Sequence, residues 1–323
     1  MSTLGELGES ATLARIFPRL PESAATVIGP GDDAAVLAAP DGRFVVTTDT
    51  MIHGPDFRLA WSSPHDLGWK AAATNLADVA AMGAVPTALV VAVAAPSSTE
   101  VAVLEGIADG LRDACEALAP GCGVVGGDLS SSATLTIAVT AFGDLEGRAP
   151  VLRSGARPGD VVAVSGDLGL AAEGIDLLFA RAVDADGHPD AELAAALRAE
   201  FPAAIEAQLA PSPPLGDGVA AALAGATAML DVSDGLAIDA RRIATASGVR
   251  IDLDAASVGS PRALTGGEAH ALLATFPAGA GLPGGFRVIG RVLAGEGLSV
   301  DGREYSERGG WDPYRDWSGE RDR

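Results

Sequence analysis

The feature that most restricts how this sequence can fold is the placing of its aspartates. They recur where apolar segments stop: Asp32 and Asp33 in GPGDDAAV, Asp49 in VVTTDTM, Asp128 in VVGGDLS, and Asp231 with Asp234 in LDVSDG. A single turn aspartate needs little explanation, because its carboxylate accepts hydrogen bonds from nearby backbone amides. Repetition says more, since strand ends and glycine turns are where a chain presents side chains to a shared cleft. Asp78 departs from the pattern. It lies in the Ala-rich helical stretch NLADVAAMG, flanked by Val79, Ala80, Ala81 and Met82 and close to Asn75. A carboxylate on such a face is costly unless it is paired or bound to metal.

If folding gathers these groups, their charges conflict. Two unit charges ~4 Å apart repel by about 4 kcal/mol at an effective dielectric near 20. Four or five carboxylates would lift one another's pKa values or splay apart, and divalent cations resolve that. A donor set of oxygens, with neither His nor Cys, suits Mg²⁺, Mn²⁺ or Ca²⁺ rather than zinc. Mg²⁺ takes one or two protein carboxylates and completes its octahedron with water and phosphate oxygens. Several acidic turns therefore imply several ions and a phosphorylated ligand. Gly126-Gly127 before Asp128, and Gly166 to Gly169 before a helical segment, let backbone amides approach anionic oxygens. Thr47, Thr48 and Ser233 offer hydroxyls beside the acids.

Charge and composition exclude several functions. With 22 basic against 43 acidic residues, the formal charge of −21 opposes binding to nucleic acid or an anionic membrane. No apolar run approaches the ~18 residues of a membrane span. The opening MSTLGELGES lacks the basic patch and apolar core of a secretory signal, so the cytoplasm is the expected compartment. Cys115 and Cys122 show no CxxC spacing and read as reduced core thiols. The only lysine, Lys70, is not in a GxxxxGK[ST] loop, and the VAIK and HRD signatures are missing. P-loop and protein-kinase nucleotide sites are excluded.

A chain of 323 residues predicts about two domains. The first, 1–147, alternates strand-like segments (Arg43 to Thr48, Ala88 to Ala94, Thr134 to Phe142) with helices, one from Ser63-Pro64 to about Met82 and one over about Glu100 to Leu118. The Gly-, Pro- and charge-rich stretch 143–160 marks the boundary. The second domain, 148–323, opens with a strand at Val161 to Val164 and turns through SGDLG into a helix. A helix over Ala191 to Glu200 should end or kink at Pro202. TAMLDVSDGLAIDARRIATASG then reads as strand, acidic turn and amphipathic helix, and strand-like alternation follows from about residue 284.

Taken in order, GDDAAV, TTDTM, GWKAAATNLADVAAMGA, VVGGD, PVLRSGARPGD, LDVSDGLAIDARRIA, LTGGEAHAL and GGWDPY resemble the thiamine-monophosphate kinases of the AIR-synthetase-like ATP-binding superfamily. The resemblance spans nearly the whole chain. It implies an α/β fold with an α+β N-terminal domain, whose mixed sheet pairs across a homodimer, and an α/β C-terminal domain. It also implies ATP-dependent phosphorylation of thiamine monophosphate to thiamine diphosphate with several Mg²⁺ ions. By motif, Asp33, Thr47, Thr48, Asp49, Asp78, Asp128, Asp231 and Asp234 are the implied metal ligands, directly or through water. Gly127, Asp128, Arg153 and Ser233 are the implied ATP contacts; Asp56, Glu268 and Trp311 fall where the family holds the acceptor. An aromatic face such as that of Trp311 attracts a cationic thiazolium. The implied transfer uses no covalent nucleophile or general base.

Three departures fall on the acceptor side. Where the family often has a His near the position of Asp56, this chain reads GPDF with His53 three residues earlier; GGED becomes GGEA at Ala269; and after Asp128 the chain reads LSSS, from Leu129, where Thr-Thr-Arg is more frequent. Two other readings stand beside the first: a related ATP-dependent enzyme with a different acceptor, and a non-catalytic sensor of nucleotide and metal.

Overall fold

The computed structural model describes residues 2–7, 9–28 and 36–311; Asp32 and Asp33 lie outside the described residues. The first half opens with helices α1 (Leu4–Leu7) and α2 (Glu9–Ile16) and a short ribbon of β1 (Thr26–Ile28) and β2 (Val36–Leu37). Then follow β3 (Val45–Ile52), α3 (Pro64–Ala81), β4 (Val85–Ala95), α4 (Val101–Leu118), β5 (Gly123–Ser131) and β6 (Thr136–Asp144). Local chemistry starts α3 where the sequence predicts. Ser63 Oγ accepts from Asp66 N at 3.1 Å while Asp66 Oδ2 accepts from Ser63 N at 2.9 Å, with Pro64 in the first turn. Glycine lets α4 lie directly on α3: a Cβ at Gly68 would stand 2.0 Å from Ile107 O, and one at Gly110 2.0 Å from His65 O.

The four-stranded sheet runs β3-β6-β4-β5, parallel only between β4 and β5. One face packs on α3 and α4, with Ile137, Val139 and Ala141 of β6 buried there. The alternate residues point the other way, and on β3 that open face includes Val46, 54% exposed, and Ile52, 38% exposed. Both Asp49 and Asp128 lie inside longer strands than VVTT and VVGG foretell, because pairing with neighbours extends each strand past its aspartate.

The second half adds β7 (Val161–Ser165), α5 (Leu170–Arg181), α6 (Ala191–Glu200), α7 (Pro202–Leu209), α8 (Leu215–Leu223), β8 (Ala228–Val232) and α9 (Leu236–Ser247). It continues with β9 (Arg250–Leu253), α10 (Ala255–Val258), α11 (Pro261–Thr265), β10 (Ala271–Phe276), β11 (Arg287–Leu293), β12 (Gly297–Val300) and β13 (Arg303–Glu304). Pro202 ends one helix and serves as the first residue of the next. Seven strands form a sheet in the order β13-β12-β9-β11-β7-β10-β8, antiparallel except between β12 and β9. Its core is shared with α9, through Leu236, Ala240 and Ile243. Cys115 and Cys122 are buried. No helix among the described residues is long and apolar enough to cross a membrane.

The two halves meet along α3, and this contact positions the site. Trp69 Nε1 donates to Pro211 O at 2.8 Å, Lys70 Nζ to Gln208 O at 3.1 Å, and Arg198 of α6 grips Asp66 with both terminal nitrogens, at 2.9 and 3.0 Å.

Candidate active site

Where β3, α3 and the end of β8 converge, three carboxylates face one another. Thr47 and Asp49 alternate onto the α3 side of β3, and Thr47 Oγ1 donates to Asp78 Oδ2 at 2.9 Å. Thr47, Asp78, Arg153 and Asp231 line a pocket of about 230 Å³. Burial, followed by the charges of Asp231 and Asp49, pushes the Asp78 carboxyl up to about 7. Asp49 is raised as well, by its low-dielectric surroundings and then by Asp231. The partners of these acids are a threonine hydroxyl, a histidine and one another. Asp231 is buried, with His270 Nδ1 3.5 Å from its Oδ2. Burial alone would lower the His270 pKa, but Asp231 and then Glu268 raise it.

Asp234 follows one turn later. It pairs with Arg242 at 2.6 Å, and the same guanidinium binds Asp239 at 2.6 Å. Asp239 is fully buried, and burial carries its carboxyl up to about 7 against the pull of Arg242. Thr48 points to the open face, where its hydroxyl donates to Val139 O at 2.9 Å and accepts from Thr140 at 3.1 Å.

Beside this acidic corner lies a cleft of about 470 Å³ whose walls include Asp56, Lys70, Ser233, Glu268 and Trp311. The expected acceptor residues thus share one space. Glu268 and His270 both take positive φ, +63° and +47°, and are held there by backbone bonds from Glu268 N to Ser233 O (2.7 Å) and His270 N to Val232 O (2.8 Å). Lys70 Nζ meets Glu268 Oε2 at 2.5 Å. Burial would raise the Glu268 carboxyl; Lys70 and then His270 outweigh it and hold it below the ordinary range. Asp56 goes the other way, raised first by burial, with the Glu268 charge adding to it. His270, 3.5 Å from Asp231, follows Glu268 by two residues, and the charges of Glu268 and Asp234 also reach Asp49, so cleft and corner are neighbours.

Gly127 and Asp128 stand apart from this group. Asp128 pairs with Ala92, Ala92 with Ala138, and Ala138 with Thr50, which puts it three strands from β3, about 14 Å across the sheet. Its carboxylate accepts from Ser130 Oγ at 2.6 Å. At Gly127 a Cβ would fall 2.0 Å from Val91 O, so close strand approach requires glycine there. Among the described residues, the one cluster whose ligand atoms already lie within 4.8 Å of one another is Asp184, Asp186 and His188, on an exposed loop.

Sequence reasoning missed Lys70, Asp239, Arg242 and His270 as parts of the site. A signal existed for Lys70: it sits two turns before Asp78 on the same face of α3, about 12 Å along the axis. Asp239 and Arg242 lie one turn apart just after the acidic turn, where helical spacing could have paired them. Nothing local marked His270, which becomes a neighbour of Asp231 through the pairing of β10 with β8.

Comparison with known proteins places the chain in a family. Residues 31–145 match the family model for the AIR synthase related protein, N-terminal domain. A thiamine-monophosphate kinase of Mycobacterium tuberculosis is 44% identical over 330 residues, 97% of this chain and 93% of that protein. The chain belongs to the thiamine-monophosphate kinase family. Among solved members of that family, the one from Stenotrophomonas maltophilia superposes with a TM-score of 0.77 at 32% identity, covering 93% of this chain and 98% of the other. AaThiL complexed with AMPPCP and TMP gives a TM-score of 0.71 at 31% identity, covering 96% and 98%.

Proposed function

We propose that this chain transfers the γ-phosphoryl group of ATP directly to thiamine monophosphate, giving thiamine diphosphate and ADP. The observation that carries this reading is the juxtaposition of two unlike spaces. A pocket of crowded carboxylates, with His270 against one of them and Arg153 at its rim, opens beside a cleft that holds one ionised glutamate and a tryptophan. Family membership supports it, as does the relative complexed with AMPPCP and TMP.

The donor set fits Mg²⁺. Carboxylate and hydroxyl oxygens are the hard ligands that ion prefers, and burial, then neighbouring carboxylates, raise the Asp78 and Asp49 carboxyls, a conflict that a divalent cation relieves. We assign Asp49, Asp78 and Asp231 as its main holders, with Thr47 orienting Asp78. When bound, Mg²⁺ supplies positive charge between the phosphates of ATP and acceptor, which otherwise repel. Arg153 steadies the nucleotide from the corner's rim. In the cleft, Glu268 faces the thiazolium charge and Trp311 offers it a π face. The acceptor phosphate, with a second pKa of about 6, is already ionised at neutral pH and needs no general base. One of its oxygens bonds to the γ-phosphorus as the β–γ bridge breaks, in line, and ADP leaves.

The open face of the four-stranded sheet, with Val46 and Ile52 exposed on it, is the surface we assign to a second copy in a homodimer. Asp128 and Gly127 enter a site only through that pairing. We take the two sheets as separate domains dividing near residue 147. Incubation with Mg-ATP and thiamine monophosphate, followed by chromatography, should yield thiamine diphosphate. ATP turnover with another phosphate acceptor alone would transfer the chain to a related activity, and no turnover with any acceptor would leave a sensor.

A further inference from the structure

Trp311 reaches the acceptor cleft at the end of an irregular segment, residues 305–311, that leaves the seven-stranded sheet after β13 and crosses the start of α9. Backbone bonds hold this strap at its two ends: Tyr305 N donates to Leu298 O at 3.0 Å, and Trp311 N to Asp234 O at 2.9 Å. Between those ends the backbone carbonyls converge on one side chain. The Arg241 guanidinium donates to Tyr305 O at 2.7 Å and also to Glu307 O and Arg308 O. Its Cζ lies 5.3 Å from the centre of the Tyr305 ring.

The far end of the strap is fixed by close approach. Gly310 has φ +90°, and a Cβ there would fall 2.1 Å from Asp234 O and 2.7 Å from Ile238 Cδ1. Asp234, Ile238 and Arg241 thus form a template at the acidic turn and the first turns of α9, and the strap is laid over it. Arg241 is outside the cleft lining, and its charge is spent on carbonyl oxygens. A planar five-donor fork suits this task, because one rigid group can satisfy several acceptors in different directions.

We infer that Arg241 is a positioning residue for acceptor binding: it fixes the strap so that Trp311 already stands in the cleft wall before the acceptor arrives. The inference rests on the kinase reading for the identity of the acceptor, and on geometry alone for the anchoring of Trp311. An exposed segment without regular structure loses conformational freedom when it orders, and a ligand that must order it binds more weakly. Pre-ordering by Arg241 moves that cost out of the binding step.

The test uses the full-length protein and the variants Arg241→Met and Arg241→Lys. Arg241→Met keeps the apolar stem and removes every donor. It should raise the KM for thiamine monophosphate roughly tenfold, the equivalent of about 1.4 kcal/mol. The KM for ATP and kcat should stay within about twofold. Arg241→Lys, with a single ammonium, should show an intermediate rise, and it keeps the test alive if the methionine variant fails to fold. In a Trp311→Ala background Arg241→Met should add almost nothing, because the residue it positions is gone.

Acrylamide quenching of the apo protein reads the anchoring without any ligand. The part of the tryptophan emission removed by Trp311→Ala should become more accessible in Arg241→Met. An unchanged acceptor KM in Arg241→Met, full multiplication of its effect with that of Trp311→Ala, or unchanged quenching would each overturn the inference. If the wild-type protein shows no turnover of thiamine monophosphate, the functional reading falls, while quenching still decides whether Arg241 holds Trp311.

Discussion

The acidic corner and the adjoining cleft are built by the same two halves of the molecule, yet they manage charge in opposite ways. In the cleft, Glu268 has Lys70 at 2.5 Å, and Asp176 has Arg262 at 3.0 Å. In the corner, Asp49, Asp78 and Asp231 crowd together, and the Asp78 carboxyl rises to about 7. A wall in which cations answer the acids, Asp56 excepted, can receive an organic ligand. A set of mutually repelling acids is incomplete and calls for cations from solution. On the proposed reading the difference separates two tasks, holding charged phosphates and holding the molecule that carries one of them.

The largest effect that could break this comparison is at Asp231. Asp231→Asn should lower kcat by about a thousandfold or more, since metal-borne charge stabilisation amounts to several kcal/mol. Steady-state kinetics over a Mg²⁺ titration measures it, and EDTA should reproduce the loss in the wild type. A near-normal kcat would remove the corner from the chemistry. Next comes Trp311→Ala, which should raise the acceptor KM about thirtyfold and leave kcat nearly unchanged, in keeping with a desolvated cation–π contact of about 2 kcal/mol. Equal falls in kcat and in kcat/KM would place Trp311 in the reaction rather than in the cleft.

A smaller effect sharpens the contrast in charge pairing. Lys70→Met removes the cation from Glu268, whose side chain is 44% exposed. Breaking a fully buried pair costs about 3–5 kcal/mol and an exposed one under about 1, so urea titration should show a loss of about 1–2 kcal/mol. The smallest effect is in the pH dependence of the apo protein. The Asp78 carboxyl is raised from 3.8 to about 7 by folding, so the folded state holds this proton more tightly than the unfolded one. Its contribution to stability therefore falls as pH climbs through that window. The thermal midpoint of Asp78→Asn should gain on that of the wild type by about 2 °C or more between the low and high ends of the window, and Mg²⁺ should close the gap. A constant difference would mean that Asp78 carries no such strain.

Much of this was legible in the sequence, for reasons that differ by element. The helix from Pro64 was readable because its capping box and proline are local chemistry. Asp78 stood out because a carboxylate on an Ala-rich face conflicts with its surroundings, and the cleft residues Asp56, Glu268 and Trp311 came from motif order. What was not legible depends on pairing at a distance. Asp49 and Asp128 sit within strands because β6 and β4 extend the ladders past them, and Thr48 turns to the open face because side chains alternate. The separation of Asp128 from the corner follows from strand order, which no local pattern encodes. Arg241 gave no signal at all, since its three acceptors are backbone carbonyls more than sixty residues away.

The most direct measurement is anomalous diffraction from crystals grown with Mn²⁺ and a non-hydrolysable ATP analogue. The account predicts manganese peaks at coordination distance, about 2.2 Å, from carboxylate oxygens of Asp49, Asp78 and Asp231, with the nucleotide phosphates beside them. Peaks confined to the exposed loop of Asp184, Asp186 and His188, with the corner empty, would contradict it.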